Sequence, residues 1–524
     1  MASAEVQVEH LESETSHEYV LSVYFASLLM LLMIAIVVSN YVSHRLHLHW
    51  LPEAAATIGV GMVASVILAV QSDSISTSLM DFNPNVFFVG LLPPIIFNSG
   101  YTMKRRYFFE NIVPILTYSI FGTMIMSIVT GTLIYTVGRF GWTTKLSLAE
   151  SLTFGSLISA TDTVSTLAVF QELKVDPTLF YLVFGESSLN DAVAICLFST
   201  FSKFIGYSYT FKPMFFAIIE FMLNFSGSTM IGIAFGMIPA LIFKYTNLRS
   251  CLLHEVGVYV MFSYLPFLIA QILEMSGVVA IIFAGISMKH YASPNLSTEA
   301  QEVCSRVFNT VAHMTETAVF LNLGLSVFAL REGFNLSFII WTALFCLAAR
   351  ACHVYPLTYL LNITSRKNNE ITKNQQHMIW YSGLRGAVAF ALAKSFPGEK
   401  QNEVIATTMI IILLSIFVMG GGTVSMLSLL KIPRLTPEEE MALDKTVKPH
   451  KHMRLLQFDN KYLIPLLTNL CQYSDSNGSD HGGSPERPPR GKSFSASGNH
   501  ADNDADDADD DEVIEVVRRD VNIH

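Results

Sequence analysis

The chain has 524 residues, of which 51% are hydrophobic and 15% charged, with a formal net charge of −10. Apolar runs long enough to cross a hydrocarbon core of about 30 Å recur from Val20 to Leu430, which excludes a string of soluble domains and marks an all-α polytopic membrane protein. Most of the acidic excess lies at the two ends of the chain, and nothing in it implies nucleic acid.

Residues 1–19 form an acidic leader (Glu5, Glu9, Glu12, Glu14 and Glu18) without the basic start of a signal peptide, so the first apolar segment is expected to be retained. Hydropathy then predicts about 13 spans at roughly 20 residues per helix, with shorter broken ones allowed. Their approximate extents are 20–42, 54–70, 86–100, 111–137, 148–171, 178–202, 214–243, 252–271, 275–288, 304–329, 336–361, 376–394 and 403–430. Loop charge places the N-terminus outside (luminal or extracellular) and the C-terminus in the cytosol, with Lys104, Arg105 and Arg106 as the densest inside cluster. The sequon Asn362-Ile-Thr364 then falls at an inside boundary and is expected to be unmodified. The six cysteines have no pairing or metal spacing and read as small apolar residues. His44, His47 and His49 read as part of an interfacial belt.

The third segment contains FFVGLLPPIIFNSG, Phe87 to Gly100. Pro94 lacks a donor and holds Pro93 away from the α region, so a kinked or short element, or a loop entering the interface, is expected there. After the transmembrane region of residues 20–430 come a juxtamembrane cytosolic segment, 431–472, and an acidic tail, 473–524. The tail is rich in Ser, Gly, Asp and Pro and is expected to be disordered and open to cytosolic regulators.

Charges within the spans carry the chemistry. Asp162, Glu186, Asp191 and Glu316 are acidic, and Arg350 and Arg385 are basic. A charged side chain at the bilayer centre costs about 2.5–3.5 kcal/mol on insertion scales, so each marks either a functional site or a polar network between helices. Two permanently charged arginines neutralise two acids, which leaves an excess of carboxylate able to exchange a proton, and hence a cation. VFGESSLNDAVAI, Val183 to Ile195, gathers Glu186 and Asn190 on one helix face, with Asp191 one step round above Ser187 and Ser188. Hydroxyls flank Asp162, among them Ser159 and Thr161, and Gly383 and Gly386 flank Arg385. These interruptions sit in the fifth and twelfth predicted spans, the spacing of two inverted six-helix repeats joined by one linking helix.

Together these stretches resemble the eukaryotic sodium/proton exchanger family, the monovalent cation:proton antiporter-1 type. FFVGLLPPIIF looks like its inhibitor-associated segment (here Phe87, Phe88, Leu91, Pro93 and Pro94) and SATDTVSTLAVF like its ion-site helix. FGESSLNDAV and GLRGAVAFAL look like its signatures. The resemblance implies an inverted-repeat antiporter fold with broken crossing helices, a mobile core, a dimerisation domain and elevator-like alternation. It implies electroneutral exchange of Na⁺ or K⁺ for H⁺, no cofactor and no enzymatic activity. Asp191 would hold proton and alkali cation in turn, helped by Asn190, Asp162 and Thr161; Glu186 and Arg385 resemble the structural ion pair, which the charge tally also asks for. Ser187, Glu316 and Arg350 would support the site. The family usually carries proline where this chain has Thr163. FDNKYLIPLLT, Phe458 to Thr468, resembles the tail of the organellar branch, implying Golgi or endosomal membranes over the cell surface. A cation channel could use the same polar residues. An intramembrane aspartyl protease also needs two membrane aspartates, but neither aspartate lies in Gly-x-Gly-Asp. The expected partners are membrane lipid and a second copy in a homodimer.

Overall fold

A computed structural model of the chain describes residues 22–23, 25–42, 52–71, 83–103, 107–108, 111–162, 164–206, 211–246, 248–328, 333–364, 370–434 and 462–468. The acidic leader, the His44–His49 belt, the Lys104–Arg106 cluster, Thr163 and the acidic tail lie outside the described residues. Those described are helical, with one isolated β-bridge between Val175 and Arg434.

The helices are α1 (Phe25–Asn40), α2 (Glu53–Gln71), α3 (Leu92–Thr102), α4 (Ile112–Arg139), α5 (Leu148–Ser159), α6 (Val164–Glu172), α7 (Pro177–Ser202) and α8 (Phe211–Tyr245). They continue with α9 (Leu252–Ile272), α10 (Gly277–Ser287), α11 (Thr298–Ser326), α12 (Leu336–Thr364), α13 (Lys373–Tyr381), α14 (Ala387–Lys394) and α15 (Gln401–Leu429). Every stretch expected to span contains helix, and 7 described helices are long and apolar enough to cross a membrane.

The fifth and twelfth stretches are each split in two, α5 from α6 and α13 from α14. Both first halves start on a capping box: Ser147 with Glu150 for α5, and Thr372 with Gln375 for α13. Both stop partway along their predicted spans, as broken helices do. Ala160 leaves the helical conformation after α5, and Gly386 is extended before α14. The breaks are bonded to each other, since the Asp162 amide donates to the Leu384 carbonyl at 3.0 Å. A Cβ on Gly386 would overlap the Asp162 side chain, so only glycine lets the two chains meet there.

The double proline does not break its helix. A π-turn at Phe87–Leu91 leads directly into α3, with the Leu92 amide reaching back to the Phe87 carbonyl and the prolines in the first turn, where helical N–H groups have no partner anyway. Of the kinked or short element and the interfacial loop expected here, the structure has a helical element with a wide turn before the prolines.

Packing gathers the helices into two sets. In one, α2 lies on α11, α3 on α10 and α11, and α8, α9 and α10 on one another. In the other, α4 lies on α5 and α12, α5 on α7 and α14, and α12 on α13 and α15. Contacts of α7 with α3, α8 and α10, and of α11 with α14, join the sets. The short helix Ile464–Leu467 is seated on the first set: Asn295 Nδ2 donates to the Leu467 carbonyl at 2.7 Å, and Lys244 Nζ to the Pro465 and Leu466 carbonyls at 2.8 and 2.9 Å.

Candidate functional site

Capped by Asp176 with Pro177 in its first turn, α7 runs 26 residues and carries its polar residues in its buried middle. Two faces of that helix meet different surroundings, because residues five apart are turned about 140° from each other.

On one face is Asp191. It opens into a cavity of about 100 Å³ between the two helix sets, shared with Asp162 at the first break and Glu316 on α11. Ser187 and Ser188 line it from α7, Gly386 and Ala387 from the second break, and Phe87 and Ser99 from the third segment. None of the described residues lining it is basic. Phe184 on α7 and Leu167 on α6 also line it. Of the inhibitor-like segment, Phe87 lines it; Phe88, Leu91, Pro93 and Pro94 are not among the lining residues.

Behind the cavity wall, Asn190 fixes the first break. Its Nδ2 donates to Thr161 Oγ1 at 2.8 Å and to the Ser159 carbonyl at 3.2 Å, while its Oδ1 accepts from Thr123 Oγ1 at 2.8 Å. Ser187 Oγ donates to the Thr161 carbonyl at 2.7 Å. Carbonyls that a broken helix leaves without partners are thereby satisfied by side chains of the neighbouring helix.

The other face of α7 is closed. Glu186, 1% exposed, pairs with Arg350 on α12, Nη1 to Oε1 at 2.5 Å. Arg350 Nη2 also donates to the Ile379 carbonyl at the end of α13, 3.0 Å. The expected partner, Arg385, is engaged elsewhere: Nη1 donates to the Ser159 carbonyl at 3.2 Å, and its backbone amide donates to Ser415 Oγ at 3.0 Å. The reason is positional. Arg385 sits within the second break and is drawn to the carbonyl end of α5, whereas Arg350 reaches Glu186 past Gly383, where a Cβ would stand 2.8 Å from its Nε. His353, one turn beyond Arg350, completes the closed face with Nε2 3.7 Å from Glu186 Oε1. Its ring meets Tyr118 edge-on, and the Tyr118 hydroxyl bonds Thr358 at 2.5 Å.

The structure thus brings Asp191, Asp162, Ser187 and Glu316 to one cavity, and Asn190 and Thr161 together behind its wall. Sequence reasoning missed Thr123 and His353. Thr123 is a lone hydroxyl in an apolar run, which ordinary helix packing also produces. His353 had a legible signal in its spacing of three from Arg350, which puts both on one helix face.

A family model for the transmembrane sodium/hydrogen exchanger matches residues 29–429. Sodium/hydrogen exchanger 8 of Rattus norvegicus is 39% identical over 442 residues, 81% of this chain and 76% of that protein. The human protein of that name is 40% identical over 422 residues, covering 78% and 71%. Among solved structures, the sodium proton antiporter MjNhaP1 from Methanocaldococcus jannaschii superposes with a TM-score of 0.60 at 17% identity, over 78% of this chain and 99% of that one. The broken helices crossing beside a membrane aspartate, the archaeal fold and the match along the whole helical region agree: the chain belongs to the sodium/hydrogen exchanger family.

Proposed function

We propose that the chain is a secondary antiporter, not an enzyme, exchanging Na⁺ or K⁺ for H⁺ by alternating access, with Asp191 as the group that holds either ion. The observation that carries this reading is the sorting of charge on α7. Glu186 is neutralised by Arg350 on the closed face, while Asp191 faces a cavity that also holds Asp162 and Glu316 and has no basic lining residue among those described. A carboxylate so placed is neutralised by a proton or a small cation, whichever is in excess. Exchanging one proton for one monovalent cation leaves the site's charge unchanged, which makes the cycle electroneutral. Carboxylate and hydroxyl oxygens from Asp191, Asp162 and Ser187 suit a hard alkali cation, and the reading calls for no cofactor.

In the orientation that loop charge gives, the Pro177 end of α7 is cytosolic. The two helix sets provide the bodies for an elevator-like movement, α4, α5, α7 and α12–α15 carrying the site past the set of α2, α3 and α8–α11. A homodimer, Golgi or endosomal residence and cytosolic regulators of the tail complete the reading. Residence rests on the organellar character of FDNKYLIPLLT.

The test is coupled transport in proteoliposomes. A Na⁺ or K⁺ gradient should drive protons uphill, and Asp191→Asn should abolish that flux while the protein stays folded. Wild-type flux in the variant would overturn the assignment of Asp191. Cation conductance without uphill proton movement would replace exchange by a channel.

A further inference from the structure

The hydrogen-bond chain behind the cavity ends on a residue outside the site as read above. Thr123 belongs to α4, just past a π-turn at Thr117–Gly122 that resets the phase of the helix. Gly122 closes that turn against the His353 ring, where a side chain would overlap the imidazole. Thr123 and Ser127, four residues apart, consequently face the first break together: Thr123 Oγ1 donates to Asn190 Oδ1 at 2.8 Å, and Ser127 Oγ to Ser159 Oγ at 3.1 Å. Thr123, Asn190 and Thr161 are each 1% exposed, and Ser159 is fully buried, so water does not substitute for these bonds.

We propose that Thr123 is a positioning residue for the ion site, acting through the Asn190 amide to hold the first break at the separation from Asp191 that a cation requires. The amide has one satisfactory orientation. Turned over, its oxygen would face the Ser159 carbonyl, two acceptors without a hydrogen, so Nδ2 must point to Ser159 and Thr161, and Oδ1 must find a donor on α4. Thr123 is that donor. Ser159 is also the acceptor of Arg385, so one carbonyl ties α7, the end of α5 and the second break together. Without the Thr123 hydroxyl, Asn190 Oδ1 is buried without a partner and the amide gains by turning away. That withdraws one donor from the Ser159 carbonyl, which keeps Arg385, takes the amide from the Thr161 hydroxyl and loosens the residue before Asp162. The consequence falls on cation affinity more than on turnover, because the carboxylates that take the proton remain in place.

This inference rests on reading Asp191 as the ion carrier, and the experiment separates the two. Thr123→Val keeps the volume and removes the donor; Thr123→Ser keeps the donor. In proteoliposomes, Thr123→Val should raise the half-saturating Na⁺ or K⁺ concentration about tenfold, the worth of one buried hydrogen bond, with maximal rate changed less than about twofold. Thr123→Ser should restore the wild-type value. In an Asn190→Ala background, Thr123→Val should have no further effect on the melting shift that saturating Na⁺ or K⁺ produces. Should Thr123→Val fail to fold, Thr123→Ala carries the same measurements. A wild-type half-saturation in the donor-less variants, or equal loss in the valine and serine variants, overturns the proposal. If Asp191→Asn kills flux and Thr123→Val leaves half-saturation unchanged, only the role of Thr123 falls; if Asp191→Asn retains flux, the site reading falls first.

Discussion

Glu186 and Asp191 stand five residues apart on one helix, both deep in the molecule, and their surroundings make them opposites. Glu186 is enclosed with Arg350, His353 and Tyr118, and its Oε1 accepts a charge-assisted bond at 2.5 Å. Asp191 opens on a cavity with two other acids and no basic lining residue among those described. The same chemical group is structural where the fold supplies a fixed guanidinium and exchangeable where it supplies space. What separates them is the turn of about 140° between their directions on α7, which aims one at α12 and the other at the gap between the helix sets.

Substitutions on either face of α7 test that contrast, and the two should fail differently. Asp191→Asn should lose coupled exchange completely and keep its yield of folded protein. Arg350→Leu should do the reverse: leaving Glu186 buried and unpaired costs about 3–5 kcal/mol, enough to deplete folded protein measured by size-exclusion chromatography in detergent. The double change Glu186→Gln with Arg350→Leu should recover much of that loss, as the isolated charge is gone. If Arg385→Leu were instead the variant rescued by Glu186→Gln, the pairing seen here would be wrong. Thr123→Val, which alters affinity rather than abolishing exchange, falls between these and the smaller effects below.

A smaller effect is expected where the chain returns after α15. Asn295→Ala removes a buried donor to the Leu467 carbonyl and should cost about 1 kcal/mol per bond lost, read as a lower apparent melting temperature and faster proteolysis near residues 462–468. Unchanged proteolysis would mean that the segment is held by Ile464 and Leu467 packing alone. The smallest effect lies at the head of α7. Burial, the largest influence on Asp176, pushes its carboxyl above the ordinary value of 3.8, while hydrogen bonds from Thr178 and Gln375 pull the other way. A carboxyl raised on folding favours the folded state fully below its unfolded value and loses that contribution as pH rises through the folded one. The fall in melting temperature from this group therefore begins near pH 3.8 and continues upward. Asp176→Asn keeps the cap and should flatten it; identical pH slopes would remove Asp176 as its source.

How much of this was legible beforehand depends on the range of the interaction. The helical stretches, the two interrupted segments and the four intramembrane acids follow from hydropathy and from the cost of charge in lipid, which are properties of each segment alone. That two arginines must neutralise two of the acids also followed, by counting. Which arginine meets Glu186 did not, because Arg350 and Arg385 are equally apolar in their neighbourhoods and lie on separate helices; only the seating of Arg385 on the Ser159 carbonyl decides it. Pro93 and Pro94 were read as a break because local rules forbid them within a helix, and a π-turn upstream gave them a first turn to occupy. Thr123 was illegible for the same reason as the ion pair: a hydroxyl in an apolar run acquires meaning from what it faces. Sequence alone determined that this chain crosses a membrane with too many acids for its arginines. The tertiary structure decided which acid is left facing open space, since pairing depends on directions that only packed helices define.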